Sequence, residues 1–384
     1  MAGRYLTRRS FLGALAAGAI AVGGGNILSG CDRGAAPGSA AKFDNTRKDE
    51  VEDLTVGLLG KDIKIACILI AKQEGLYEQE KLNVTWQTGT GFDVLMPALS
   101  KGEVDVVPFG VIPSCTYIGQ GDDLVIFGGT VAEGSECLTL VQNKDKYKTA
   151  QDFKGANIGC FRMETGHMVM KGWLRDQGLN VDQNDKNKDV TFTYLENATA
   201  EQAAVENGEI DMCFVNSGYG YVATKSEKVA VAFQPGNFVK DFPCCRQSTN
   251  RSAFEEKRSA LIKFEIANLL AYDILKNDRE KAIADLVAYS GQPEAYVENV
   301  IYGTSSYDAA MIFEMDPYTD AVVDFYGTMI DNGDIDNKDK EVIKYHVDSS
   351  IYKAALDEVV SRDVNKSLYE GLLDEYNKHN TLGL

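Results

Sequence analysis

Two octapeptides constrain the fold more than anything else in the chain: Ala98-Leu99-Ser100-Lys101-Gly102-Glu103-Val104-Asp105 and Ala204-Val205-Glu206-Asn207-Gly208-Glu209-Ile210-Asp211. In each, an apolar helical pattern stops at a glycine, which takes the left-handed conformation that helix termini favour. An apolar strand pattern starts two residues later. Around them, two longer stretches follow one plan. LTVGLLG, IKIACILIAKQEGLYEQE, LNVTWQTGTG and FDVLMPALSKGEVDVVPFG make the first. GANIGCF, GHMVMKGWLRDQGL, DVTFTYLENAT and AEQAAVENGEIDMCFVNSG make the second. Each reads strand, helix, strand, helix, strand. Such alternation implies a mostly parallel sheet with helices on its faces. Two units therefore predict two α/β lobes, about 54–142 and 148–240.

The rest of the chain is organised around these units. From about Phe254 to Leu384, apolar residues recur at three and four, as in RSALIKFEIANLLAYDIL, a helical pattern. This tail has no lobe of its own, so it is expected to pack back onto lobe one. The chain then crosses between lobes twice, near 137–142 and near 244–248, and two crossing strands make a hinge. At the other end, residues 10–29 form an apolar run diluted by Gly13, Gly18, Gly23, Gly24 and Gly25. A spanning helix needs about 20 predominantly apolar residues. Behind Arg4, Arg8 and Arg9, the run reads instead as an export signal. TRRSFL resembles the twin-arginine signal. LSGC resembles the lipobox, which makes Cys31 the expected lipid attachment site and first mature residue. Residues 32–52 have a tether composition. The predicted organisation is thus signal 1–31, tether 32–52, lobe one 53–142, lobe two 143–243, and a return to lobe one with C-terminal helices over 244–384.

Charge and cysteine usage exclude several functions. The formal charge is −18, and removal of the three signal arginines takes it to −21. A polyanion neutralises no phosphates, so no nucleic acid partner is expected. Seven cysteines remain beside Cys31: Cys67, Cys115, Cys137, Cys160, Cys213, Cys244 and Cys245. Most lie in apolar runs and read as buried free thiols. The three histidines, His167, His346 and His379, have no ligand spacing, and no metal site or cofactor is expected. No GxSxG, GxxxxGK[ST] or GxGxxG after a strand occurs, so no catalytic residue is assigned. The pairs Glu103/Asp105 and Glu209/Asp211 start strands, away from the cleft, and read as surface charge.

Ligands of open parallel sheets bind beyond the carboxyl ends of the strands. The repeat places six loops there: 60–62, 88–93 and 109–114 from lobe one, with 162–167, 196–201 and 216–221 from lobe two. The glycines of TGTGFD allow backbone N–H groups to approach a ligand closely. In ETGHM, Thr165 is a candidate helix cap and His167 falls in the first turn. Thr199 with Gln202 fits a capping box. Arg162 suits a carboxylate or sulfonate, which an arginine holds bidentately. Phe92, Tyr219 and Tyr221 suit stacking on a planar ligand, or packing beneath a neighbouring loop.

The phrases IAKQEGLYEQEKLNV, ALSKGEVDVVPFGVIPS, GQGDDLVIFGG, DFKGANIGCFRMETGH, NGEIDMCFVNSG and DAVVDFYGTMIDNGDI resemble the solute-binding lipoproteins of ABC importers for nitrate, sulfonate, taurine and thiamine precursors. The resemblance spans about 54–335. It implies an α/β type II periplasmic-binding-protein fold, two lobes with a helical C-terminal extension on lobe one. It also implies a monomer on the outer face of the cytoplasmic membrane, closing on one small polar ligand. The closed form would dock on a permease served by a separate ATPase. Carried over by position, ligand contacts fall on Thr90, Gly91, Phe92, Val111, Ile112, Thr165, His167, Asn216 and Tyr219, to which the loop chemistry adds Arg162. Two alternatives stay open: a pyrimidine-synthase-like enzyme on the same fold, which would use Cys244-Cys245, and a sensing module for a membrane receptor.

Overall fold

The computed structural model describes residues 49–161, 164–183 and 188–384. The signal, Cys31, most of the tether and Arg162 lie outside the described residues. Lobe one begins β1 (Glu52–Leu59), α1 (Ala66–Gln73), α2 (Leu76–Gln79), β2 (Leu82–Gly89), α3 (Phe92–Ser100), β3 (Val106–Val107), α4 (Val111–Gln120) and β4 (Leu124–Glu133). Lobe two runs β5 (Ser135–Leu140), β6 (Asn157–Cys160), α5 (Thr165–Asp176), β7 (Val181–Gln183), β8 (Val190–Tyr194), α6 (Ala198–Glu206), β9 (Met212–Asn216), α7 (Tyr219–Ala223) and β10 (Val229–Phe233). The chain then returns through β11 (Cys245–Asn250), α8 (Arg251–Glu256), α9 (Arg258–Asn277), α10 (Arg279–Ser290) and α11 (Glu294–Tyr302). It ends in β12 (Ile312–Phe313), α12 (Thr319–Asn332), α13 (Ser350–Ser361) and α14 (Lys366–His379).

The strands form two sheets, ordered β12-β4-β11-β3-β1-β2 and β10-β5-β9-β6-β8-β7. In each, the three strands of the repeat are parallel: β2-β1-β3 and β8-β6-β9. The strand that follows each crossing inserts antiparallel beside them, β11 next to β3 and β5 next to β9. Lobe one is therefore completed by strands, β11 and β12, that the chain supplies only after building lobe two.

The octapeptides match down to single hydrogen bonds. Gly102 and Gly208 sit at φ 73° and 74° and close α3 and α6. Their neighbours repeat the closing bonds, Glu103 N to Ala98 O and Glu209 N to Ala204 O, both at 2.9 Å. The aspartates read as surface charge are structural instead. Asp105 Oδ2 accepts Thr55 N and Asp211 Oδ2 accepts Asn157 N, both at 2.8 Å. Each aspartate amide answers with a bond to the carbonyl of the same partner. The carboxylates thus satisfy amides within β1 and at the entry of β6, a need that a single strand pattern does not reveal.

The first crossing falls at Gly134, earlier than the expected 137–142, and the second occupies 234–244. The apolar pattern continues through VIFGGTVAEGSECLTLV without a break, which hid the change of lobe. A side chain on Gly134 would stand 3.0 Å from Cys244 Sγ, so the two crossings touch at this point. The tail packs on lobe one as predicted, with α9 against α1 and α13. Lys263 on α9 pairs with Glu52 at 2.8 Å and ties down the entry to β1. One segment departs from that plan. Tyr307 and Ala309 join the apolar cluster of lobe two, and the Tyr307 hydroxyl donates to Glu136. The chain then rejoins lobe one, where Gly129 N donates to Met315 O at 2.9 Å. A side chain on Gly129 would lie 2.3 Å from Asp316 O, so only glycine admits this backbone.

Candidate functional site

The carboxyl ends of the two sheets meet across the crossings, and one side chain spans the gap. Lys64 lies in the turn before α1, its amide held by Asp62 Oδ1 at 2.8 Å. It is 8% exposed. Its ammonium donates to Gly134 O and to Asn216 Oδ1 in lobe two, both at 2.8 Å. Burial pulls the ammonium pKa down, but Cys245, Cys244, Asp62 and Glu164 more than offset this and raise it overall. Lys64 is thus a charged link between the lobes. Its signal in the sequence is that it is the one charged residue in IKIACILIA, and it was missed.

Opposite Lys64, lobe two presents Glu164, fully buried at 0% exposure. Glu164, not Thr165, caps α5: its carboxylate accepts Gly166 N at 2.8 Å and His167 N at 2.9 Å. Ser135 Oγ donates to it at 2.6 Å, and His167 Nδ1 lies 3.2 Å away, where only a donated proton makes a bond to a carboxylate. Burial pushes the Glu164 pKa up, yet the His167 and Ser135 bonds hold it below the ordinary value. Two more carboxylates flank Gly134. Glu133 accepts Ser135 N and Gly236 N at 3.1 and 2.6 Å. Glu136 accepts Gly218 N and Gly220 N at 3.1 and 2.8 Å, with the Tyr307 hydroxyl. Burial pushes Glu133 up to about 8 and Glu136 up to about 7.

The predicted residues separate into three groups. Asn216 stands at the cleft floor on Lys64. Thr165 and His167 are buried in the first turn of α5, with His167 Nε2 3.4 Å from the Tyr194 hydroxyl. Gly91 and Phe92 start α3, where Phe92 meets Phe109 edge-on at 6.5 Å, and Thr90 beside them is exposed. Val111 and Ile112 are core residues of α4, at 0% and 1% exposure. The Tyr219 hydroxyl donates to Gln202 Oε1 at 3.0 Å and lies 3.3 Å from Thr199 Oγ1. Thr199 is not a cap: Asn197 caps α6, accepting Ala200 N at 3.0 Å. Tyr221 packs against Tyr296 and Tyr307. Arg162 lies outside the described residues.

Cys244 and Cys245 reach the cleft floor, as their place on the second crossing suggested. Their sulfurs are 3.8 Å apart and both residues are buried. The contact with Cys244 lowers the Cys245 pKa against the effect of burial, and Lys64 adds to the lowering. All seven described cysteines are free. Among the described residues no group of three or more His, Cys, Asp or Glu is arranged to hold a metal ion. A cavity of about 370 Å³ lies elsewhere, on the hinge side, lined by Trp173, Phe238, Phe242 and Phe325 among others. It includes none of the predicted site residues.

Two lobes built on one repeat, each completed by a strand from beyond a crossing, with the strand-end loops facing one another, define a periplasmic-binding-protein fold. The chain belongs to the NMT1/THI5-like family, whose model matches residues 62–282. Solved structures agree on the fold. The periplasmic aliphatic sulphonate binding protein SsuA from Escherichia coli is 20% identical over 77% of this chain and 91% of its own, with a TM-score of 0.60. The periplasmic nitrate-binding protein NrtA from Synechocystis PCC 6803 is 16% identical over 82% of this chain and 90% of its own, at 0.64. A Candida albicans gene product described as having the generic periplasmic binding protein structural fold is 15% identical over 77% of this chain and 96% of its own, at 0.55. No curated protein matches the sequence.

Proposed function

We propose that this chain is the extracytoplasmic solute-binding component of an ABC importer. The observation that carries the reading is the pair of crossings at Gly134 and 234–244, which leave two lobes free to close on a ligand held among Asn216, His167 and the start of α3. Sulfonate- and nitrate-binding proteins of the same fold support it. The protein is exported by the twin-arginine signal, anchored by a lipid on Cys31, and works as a monomer. It delivers a small polar solute to a permease driven by a separate ATPase. A chain exported already folded also suits seven buried, unpaired thiols.

The test is scattering combined with calorimetry on a panel of small polar solutes, including nitrate, alkanesulfonates, taurine, carboxylates, pyrimidines and amines. One solute is expected to bind once per chain and to reduce the radius of gyration, because closure is the mechanism. Saturation with an unchanged envelope overturns the closure, and chemical turnover of the bound solute restores the enzyme alternative. The anchor has its own test. Cys31→Ala is expected to move the protein from the membrane fraction to the soluble one, and unchanged fractionation rejects lipidation there.

A further inference from the structure

Between Ile301 and Met311 the tail leaves lobe one, reaches lobe two and comes back. Val297, Val300 and Ile301 of α11 belong to the apolar core of lobe one, and so do Met311 and Phe313. Between these anchors, Tyr307 and Ala309 sit in the apolar cluster of lobe two, at 6% and 4% exposure. The tip holds its own shape. Gly303 turns the chain at φ 71°, and a side chain there would stand 3.2 Å from Tyr307 O. Thr304 and Tyr307 exchange backbone bonds at 2.8 and 3.1 Å, and Thr304 Oγ1 donates to Asn299 Oδ1 on α11 at 2.6 Å. Lobe two grips this tip through side chains. Glu136 accepts the Tyr307 hydroxyl, and Gln234 Nε2 donates to Ala309 O and Ala310 O at 3.3 and 3.0 Å. The Tyr307 ring meets Tyr221 edge-on at 5.4 Å. Glu136 also accepts Gly218 N and Gly220 N, so Tyr307 docks on the carboxylate that orders the loop after Asn216.

We propose that residues 303–311 are a latch: a preformed turn carried by lobe one that docks in lobe two as the lobes close and undocks as they part. This rests on the solute-binding reading and assigns the control of its closure. Two crossings alone let the lobes swing. The latch adds an interaction made only in the closed arrangement, so it shifts the population toward that arrangement. The turn is built to survive undocking, because the bonds that shape it run within the turn and back to α11. Neither partner is stranded when it leaves. Glu136 keeps its two amide donors, and the freed tyrosine hydroxyl meets water. Docking also speaks to the cleft. The loop that Glu136 orders continues from Asn216, which Lys64 of lobe one holds at 2.8 Å. A solute that draws this loop toward lobe one therefore favours docking, and docking favours the solute in return.

The test is scattering from the mature full chain with no solute added, joined to hydrogen exchange. Tyr307→Ala removes ring and hydroxyl, and is expected to enlarge the radius of gyration relative to wild type. Tyr307→Phe, which keeps the ring, should enlarge it less. Gln234→Ala attacks the same contact from lobe two and should also enlarge it, while the exposed Ser305→Ala should not. In Tyr307→Ala the Gly218 and Gly220 amides should exchange at least about tenfold faster, and the Glu209 amide, away from the cleft, at its wild-type rate. A loosened fold would also expand the chain, so each variant must keep the circular dichroism of wild type. If Tyr307→Ala does not, Gln234→Ala decides. Folded variants that match wild type in radius and exchange overturn the latch and show that 303–311 rides permanently with lobe two. That result leaves solute binding intact, since a solute that compacts the wild-type chain still supports it. Variants that widen while no solute of the panel binds support the latch and reject the solute-binding reading alone.

Discussion

Glu164→Ala is expected to destabilise the protein by about 2–4 kcal/mol, the scale for losing a helix cap and leaving buried donors unpaired. The carboxylate is wholly buried, and its bonds reach three places. It caps α5 through Gly166 N and His167 N, it receives Ser135 Oγ from the strand after the first crossing, and it receives the His167 ring. Loss of the cap alone costs about 1 kcal/mol. The remainder comes from leaving the imidazole and a serine hydroxyl unpaired in a dry site. The variant also frees an anion seat at the N-terminus of a twelve-residue helix. Sulfate should therefore recover part of the lost stability in Glu164→Ala, beyond whatever general effect it has on wild type. The measurement is a urea midpoint with and without sulfate. A midpoint equal to wild type would show that Glu164 does not organise the crossing, and an identical sulfate response would show that α5 offers no vacated seat.

Much of the fold was legible because it is written twice. The glycine stop at Gly102 and Gly208 needs only local backbone chemistry, and periodicity around it gave the strands and helices. The crossings were harder to place, because β4 and β5 are both buried and their apolar runs merge across Gly134. The site was less legible still. Loop position placed Asn216, His167 and Gly91 at the ends of the strands, while Val111 and Ile112, carried over from the resemblance, are buried on α4. The polar centre of the cleft went unread because its members lie inside apolar segments. Lys64 stands in IKIACILIA, Glu133 and Glu136 in TVAEGSECL, and Glu201 in AEQAAV. A charge in an apolar run is burdened by desolvation unless a partner meets it. Such residues are therefore a better guide to this site than charges in polar loops. The capping assignments failed for a related reason. Thr165 and Thr199 are residue types that cap well, but the acceptors in position are Glu164 and Asn197.

The buried carboxylates also dictate how stability changes with pH. Burial pushes Glu133 and Glu265 up to about 8, Glu136 and Glu314 up to about 7, and Glu201 up to about 9. In the unfolded chain the same groups titrate near the ordinary value of about 4.3. Between those limits the native state holds more protons than the unfolded one, so stability falls as pH rises. Two groups act the other way. Glu164 is held below its ordinary value, so its contribution is lost as pH drops through the acid range. His346 is pulled down by burial, so it too disfavours the native state as the solution turns acidic. The slopes oppose one another only in the acid range, so stability is expected to be highest below about pH 5 and to have fallen by at least about 3 kcal/mol at pH 9. A strongly acidic surface would also weaken at high pH through general repulsion, but salt screens exposed charges and hardly touches buried ones. Denaturant midpoints measured from pH 5 to 9 in 0.5 M sodium chloride separate the two causes. A decline that persists in salt belongs to the buried carboxylates, and Glu201→Gln should flatten its upper end, since a glutamine has no proton to lose there. Stability that is level from pH 6 to 9 in salt would mean that these carboxylates are ionised and paired in solution.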